Sequence, residues 1–158
     1  MRVIFLPTLL TIIVDILAWL FIQLSIARLS LKISAKFLKD FKLFKVLKFE
    51  REPSIYQTIF KIRYWKDKLP EGSKIIKSGF SKKELVTKNH EYLANFLIEI
   101  NRGELAHWLQ ILPAPLFFLF NVEWVGWLMI GYALTFNVPF IMIQRFNRAR
   151  LSKVLNQK

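Results

Sequence analysis

The sequence predicts an all-α integral membrane protein. It reads as three transmembrane helices, an interfacial amphipathic helix and a cytoplasmic helix within one membrane domain spanning 1–158. Three observations carry that expectation. First, 54% of the residues are hydrophobic although the net charge is +13, so the two properties must be segregated. Second, the stretch 3–27 holds a single charge, Asp15, and the stretches 105–122 and 124–143 hold none apart from Glu123 between them. At about 1.5 Å per residue, such runs cross a hydrocarbon core of about 30 Å. Third, lysines at 32, 36, 39, 42, 45 and 48 recur at helical spacing among apolar residues.

The elements follow in order. Residues 3–27 form the first expected span. Asp15 falls near its middle, where an acid costs about 2.5–3.5 kcal/mol on insertion scales and demands a partner or a cavity. Small residues at Ser25 and Ala27 also suit a cleavage site, but the run is long and its basic start thin, so an uncleaved anchor is expected. From 32 to 49, a lysine face opposes Ile33, Phe37, Leu38, Phe41, Phe44 and Leu47, the pattern of a helix lying in the membrane interface or packing on a soluble subdomain. Pro53 should end it. The aromatic-rich stretch from 54 fits a short helix or an extended segment, and Leu69-Pro70-Glu71-Gly72 is turn chemistry. Ser81 and Glu84 make a capping box, opening a cytoplasmic helix to about Arg102. Gly103 then either breaks that helix or lets it bend into the span 105–122, which Pro113 and Pro115 should kink. The last span, 124–143, ends on a basic tail, 144–158.

Charge supplies the topology. Eighteen of the 24 basic residues lie within 28–102 and five follow position 143. The positive-inside bias places the loop 28–104 and the C-terminus in the cytoplasm, with the N-terminus and the 121–123 hairpin outside: a multi-pass cell-membrane protein. Eighteen basic against nine acidic residues in the loop 28–104 suit anionic phospholipid. No nucleic-acid recognition module is present, and nucleic acid is not an expected partner. The absence of cysteine excludes disulfides, thiolate catalysis and cysteine metal sites.

Three motifs could carry chemistry. Glu104 and His107 are three apart, hence neighbours on a helical face, where a carboxylate can orient an imidazole as a general base on a hydroxyl. They could equally be a structural pair. Only one Glu-x-x-His occurs, whereas a di-iron site needs two, so no metal is expected. Beyond the last span, Gln144, Arg145, Asn147, Arg148 and Arg150 crowd five multi-donor side chains at a membrane exit. That suits an anionic or polyhydroxyl headgroup, or a basic stop-transfer flank. Arg63, Lys66 and Lys68 could grip phosphate with Trp65 packing on a ring or lipid, or they could line an interfacial loop as snorkelling cations.

Three blocks resemble one known family. They are Arg-Tyr-Trp-Lys-Asp-Lys-Leu-Pro-Glu-Gly at 63–72, Arg-Gly-Glu-Leu-Ala-His-Trp-Leu-Gln-Ile-Leu-Pro at 102–113, and Asn-Val-Pro-Phe-Ile-Met-Ile-Gln-Arg-Phe-Asn-Arg-Ala-Arg-Leu at 137–151. Their order and spacing resemble the glycosyl-4,4'-diaponeurosporenoate acyltransferase family, whose members finish the staphylococcal carotenoid pigment by attaching a fatty acid to its sugar. The resemblance runs from about 21 to 151. It departs from the family pattern at Phe146, usually Tyr, and at Ala149, often Pro. It implies acyl transfer to a hydroxyl of a membrane lipid, with an acyl-CoA or acyl carrier protein as co-substrate and no other cofactor.

The resulting expectation makes His107 and Glu104 catalytic. Arg63, Trp65, Lys66, Arg102, Asn137, Gln144, Arg145, Asn147 and Arg148 are expected to bind substrate. Arg145, Asn147 and Arg148 would hold the donor's phosphates or the developing oxyanion, and Trp65 and Lys66 would cover the acceptor headgroup. An amine acceptor, an oligomer and a partner membrane protein fit the same residues. The rival reading is a non-enzymatic membrane protein that binds anionic lipid or a protein, or another lipid- or peptide-modifying enzyme.

Overall fold

The computed structural model describes residues 2–51, 54–69 and 90–155, and these are mostly helical with no strand among them. The helices are α1 (Thr8–Ser30), α2 (Ala35–Asp40), α3 (Ser54–Phe60), α4 (Ile62–Trp65), α5 (His90–Ile111) and α6 (Glu123–Leu155), with short 3₁₀ segments between them. The chain divides into two compact units, 1–33 with 105–141 and 34–104 with 142–158. Helices α5 and α6 each contribute residues to both.

In the first unit α1 is built inside out relative to a water-soluble helix. Thr11, Asp15 and Trp19, four apart on one face, are buried, while Leu9, Ile12, Ile16, Leu17, Leu20 and Phe21 are exposed. Water would oppose so much exposed aliphatic surface, whereas a bilayer accepts it and makes inward polar groups pair with each other. Asn121 Nδ2 donates to Asp15 Oδ1 at 2.7 Å, so the mid-helix acid has a partner in the turn that leads into α6. Trp19 stacks on Phe117 with centroids 4.7 Å apart and, with Ala114 and Ala133, forms the core of this unit.

Two helices, α1 and α6, are long and apolar enough to cross a membrane. The expected span at 105–122 is not a third. Helix α5 passes through Gly103 without a break and stops at Ile111, and a 3₁₀ segment occupies Ala114–Leu119. Pro113 and Pro115 remove two amide donors, so the regular α-helical ladder cannot continue. The segment nevertheless returns antiparallel to α1. Gln110 meets the Gln23 carbonyl, Phe117 lies against Trp19, and Val3 and Ile4 donate to the Leu119 carbonyl at 2.8 Å. The start of α1 and the turn into α6 therefore share one end of this unit.

The second unit corrects the amphipathic helix expected over 32–49. Ser34 caps α2, its hydroxyl accepting from Phe37 N at 3.3 Å, and α2 ends at Asp40. 3₁₀ turns follow at Lys42–Phe44 and Lys48–Arg51. Leu38, Phe44 and Glu50 are the buried positions, six apart. A continuous helix rotates about 240° over six residues and would aim these three in different directions. Breaking the helix lets all three turn inward while Lys36, Lys39, Lys42, Lys45 and Lys48 stay exposed.

The ambiguous stretch after 53 is helical. Lys61, with φ 48°, separates α3 from α4 as a single left-handed residue. Its position lets Tyr56, Ile62 and Phe146 form a core onto which Trp65, Met142 and Ile143 pack. Leu93, Phe96, Ile100 and Leu151 form a second core patch. Pro53, Ser81 and Glu84 lie outside the described residues, as do positions 70–72.

Candidate functional site

The second unit holds a buried network of four charges. Glu104, fully buried on α5, accepts from Arg145 Nε at 2.9 Å through Oε1, and its Oε2 meets Arg148 Nη2. Arg145 Nη1 reaches Glu50 Oε1 at 3.2 Å. The same Glu50 oxygen takes the Tyr56 hydroxyl, and Oε2 accepts the Leu47 amide at 2.9 Å. Arg148 Nε donates to Asn101 Oδ1 at 2.9 Å, while Asn101 Nδ2 donates to the Leu38 carbonyl at 2.9 Å. The Arg148 guanidinium also lies over the Phe44 ring, 5.2 Å from its centroid.

The charges balance, two carboxylates against two guanidiniums. Balance is what makes burial tolerable, because an unpaired ion in a low-dielectric interior costs several kcal/mol. Burial first, and then the hydrogen bond to the Glu50 carboxylate, push the Tyr56 phenol well above its ordinary value, so it stays a donor. Local sequence explains the arrangement. Ala133, Asn137, Ile141, Gln144, Arg148 and Leu151 are all buried, at intervals of three or four along α6. One helical stripe therefore interleaves apolar Ala133, Ile141 and Leu151 with polar Asn137, Gln144 and Arg148.

The first unit holds the histidine. His107 Nδ1 lies 2.9 Å from Asn137 Oδ1, and Asn137 Nδ2 donates to the Ala133 carbonyl at 2.9 Å. The second bond fixes the amide's orientation and leaves Oδ1 as the acceptor at the ring. Nδ1 then carries the proton, and in the neutral ring that leaves Nε2 as the basic nitrogen, the tautomer a general base needs. Phe140 stacks on the imidazole at 4.8 Å and 9°, holding its plane. Asn137 is only 1% exposed, so its amide serves the histidine and its own helix. The sequence expectation had made it a substrate ligand, and the acceptor seen at His107 Nδ1 is this asparagine.

The remaining candidates scatter. Arg63 is exposed, and its backbone amide donates to Gln57 Oε1 at 3.1 Å. The Trp65 indole donates to the Phe60 carbonyl at 2.8 Å and packs on the Tyr56 core, a structural commitment. Lys66 pairs with Asp67 at 2.8 Å, and Arg102 with Glu99 at 3.1 Å. Asn147 is half-buried. Gln144 is buried. The structure thus brings Glu104 together with Arg145 and Arg148 and places Trp65 against the core that contains Phe146.

Sequence reasoning missed Glu50, Tyr56 and Asn101. Glu50 had a signal of its own, an acid in a lysine-rich stretch six residues before a tyrosine. Among the described residues, no group of three or more His, Cys, Asp or Glu side chains is placed to hold a metal ion.

Comparison with known proteins is consistent across most of the chain. The family model described as glycosyl-4,4'-diaponeurosporenoate acyltransferase matches residues 40–157. Proteins carrying that name in Staphylococcus aureus strains USA300 and NCTC 8325 / PS 47 are 35% identical over 138 residues, covering 87% of this chain and 83% of theirs. The protein of that name in strain MRSA252 is 36% identical over the same shares. No solved structure matches.

Proposed function

The chain belongs to the glycosyl-4,4'-diaponeurosporenoate acyltransferase family, and on that premise we propose that it transfers a fatty acyl group to a sugar hydroxyl of a membrane-borne glycosylated carotenoid. The observation that supports this most is the oriented imidazole, its Nδ1 held by Asn137 Oδ1 at 2.9 Å. In the proposed step, Nε2 of His107 takes the proton of the acceptor hydroxyl as its oxygen attacks the carbonyl carbon of an acyl thioester. The new carbon–oxygen ester bond forms, and the carbon–sulfur bond to coenzyme A or acyl carrier protein breaks. The imidazolium then returns its proton to the departing thiolate. Asn137 is the positioning residue for the ring. Glu104 holds Arg145 and Arg148 in place through its two oxygens.

We place the protein in the cell membrane as a multi-pass protein, with the N-terminus outside and the C-terminus in the cytoplasm, the third crossing being made between α1 and α6 by the returning segment 105–122, part α-helix and part 3₁₀. The charge distribution supports this orientation, and the outward aliphatic face of α1 supports insertion in the bilayer. Phe37, Phe41, Leu43, Leu47 and Phe49 are exposed among the exposed lysines of 36–48, which suits contact with anionic phospholipid at the inner surface.

The experiment is acyl transfer by purified protein in vesicles, supplied with a glycosylated polyene and an acyl thioester. An esterified product with wild-type protein and its loss in His107→Gln supports the assignment. A folded His107→Gln variant with the wild-type rate removes His107 from the chemistry. Absence of any ester with wild-type protein, across acyl-CoA and acyl carrier protein donors, removes the reaction.

A further inference from the structure

The charged network of the second unit contains two buried polar atoms that nothing in it uses. Four buried atoms here make no regular hydrogen bond among the described residues; Glu104 Oε2 and Arg148 Nη2 face each other as an ion pair, whereas Gln144 Oε1 and Arg148 Nη1 lack a partner. Their residues are 8% and 2% exposed. Positions 144 and 148 are four apart on α6, so the two side chains share one face, a single turn apart. A buried donor or acceptor left unmade costs about as much as a hydrogen bond contributes elsewhere, and proteins rarely keep two in one helical turn without use.

The chemistry of the pair narrows what fills it. One atom is an acceptor and the other a charged donor. A hydroxyl satisfies both at once, donating its proton to the amide oxygen while its own oxygen accepts from the guanidinium. A phosphate satisfies only the donor while the amide presents Oε1, and it would need the amide turned to offer Nε2 instead. The surrounding charge agrees. Glu50 and Glu104 already compensate Arg145 and Arg148 through ion pairs at 3.2 and 2.9 Å and the Glu104–Arg148 contact. No net positive charge remains in this network for an anion. The arginines also cannot swing toward one without leaving a carboxylate buried and unpaired.

We propose that Gln144 and Arg148 form the subsite for a sugar hydroxyl of the acceptor, so that this network recognises a neutral polyol headgroup rather than the phosphates of the acyl donor. The assignment deepens the acyl-transfer reading and rests on it for the identity of the sugar as acceptor. Glu104, Glu50 and Asn101 act on that hydroxyl through the arginines they hold, and are positioning residues.

The test is a binding measurement that does not require turnover. Full-length protein in phosphatidylcholine nanodiscs is titrated with hexadecyl β-glucoside or with hexadecyl phosphate, and retention is read by native mass spectrometry. Wild-type protein should retain the glucoside at least about tenfold over the phosphate, the margin of one good hydrogen bond to a charged donor. Gln144→Leu should lower glucoside retention about tenfold and leave phosphate retention unchanged. The same variant should raise the midpoint of thermal unfolding, because it removes a buried orphan acceptor, whereas a packing role for Gln144 would lower it. Arg148→Lys, which keeps the charge but loses the planar donor, should weaken the glucoside as well. Preference for hexadecyl phosphate overturns the proposal. So does unchanged glucoside retention in Gln144→Leu, which would mean that the two atoms meet only buried water. Glucoside selectivity without acyl transfer would leave this subsite standing and sink the acyl-transfer reading alone. Acyl transfer without glucoside selectivity would do the reverse.

Discussion

The two units bury polar groups in opposite ways. In the unit formed by 1–33 and 105–141, the inward groups meet in small separate contacts: Asp15 with Asn121, His107 with Asn137, Gln110 with the Gln23 carbonyl. Its outward surface along α1 is aliphatic and aromatic. In the unit formed by 34–104 and 142–158, four formal charges share one network that includes a phenol and an asparagine. Its outward surface over 36–48 alternates lysine with phenylalanine and leucine. The contrast follows from solvent. Where hydrocarbon surrounds a helix, an isolated polar pair is the least costly inward group, since each partner removes the other's need for water. A network of charges is stable only where every member is compensated, and then it is rigid. The first arrangement suits a single positioned base. The second suits a preorganised binding surface whose geometry cannot drift.

Substitutions can break that contrast, in decreasing order of effect. His107→Gln keeps a group able to meet Asn137 but has no basic nitrogen, and should lower turnover by roughly 10²–10⁴-fold with little change in unfolding midpoint. Arg148→Ala should instead act on stability, losing about 3–5 kcal/mol in equilibrium unfolding by leaving Glu104 with half its compensation. A loss under about 1 kcal/mol would show that the network is not buried as described.

Tyr56→Phe removes one donor from the Glu50 carboxylate and should cost about 1.5–3 kcal/mol, the range for hydrogen bonds to charged groups. That cost has a pH signature. The phenol's folded value lies above the unfolded one near 10, so its contribution is complete below pH 10 and falls as pH rises beyond it. Denaturation profiles of wild type and Tyr56→Phe should therefore run parallel from pH 7 to about pH 9.5 and converge at higher pH. Asp15→Asn, in the first unit, should be the mildest, within about 1 kcal/mol, because an amide oxygen still accepts from Asn121. A larger loss would mean that the Asp15 charge matters, and the contrast between the units would blur.

Much of this was legible in the residues. The apolar runs located α1 and α6, and the dense amide and guanidinium groups at 144–150 pointed to the polar positions Gln144 and Arg148 of the α6 stripe. The pairing of Glu104 with Arg145 and Arg148 joins two of the blocks recognised in the sequence. Other features were hidden for identifiable reasons. Periodicity over 32–49 suggested one helix because lysines report only the outward face, whereas the inward positions 38, 44 and 50 follow a different interval. The run 105–122 had the composition of a span, but two prolines decided its local geometry. Glu50 pairs with Arg145 across 95 residues, and Asn101 with Arg148 across 47, distances over which no spacing rule operates. The contact at His107 Nδ1 was hidden for the same reason. Glu104 is its neighbour along α5, while Asn137, thirty residues on, meets the ring.

The account stands most directly on one comparison, wild-type against His107→Gln protein in the vesicle acyl-transfer assay, with product ester measured by mass spectrometry and folding checked by thermal unfolding. The account predicts an ester of the glycosylated polyene with wild-type protein. It predicts at most about a hundredth of that rate with a variant that unfolds at nearly the same temperature. A well-folded variant that forms the ester at the wild-type rate would contradict it.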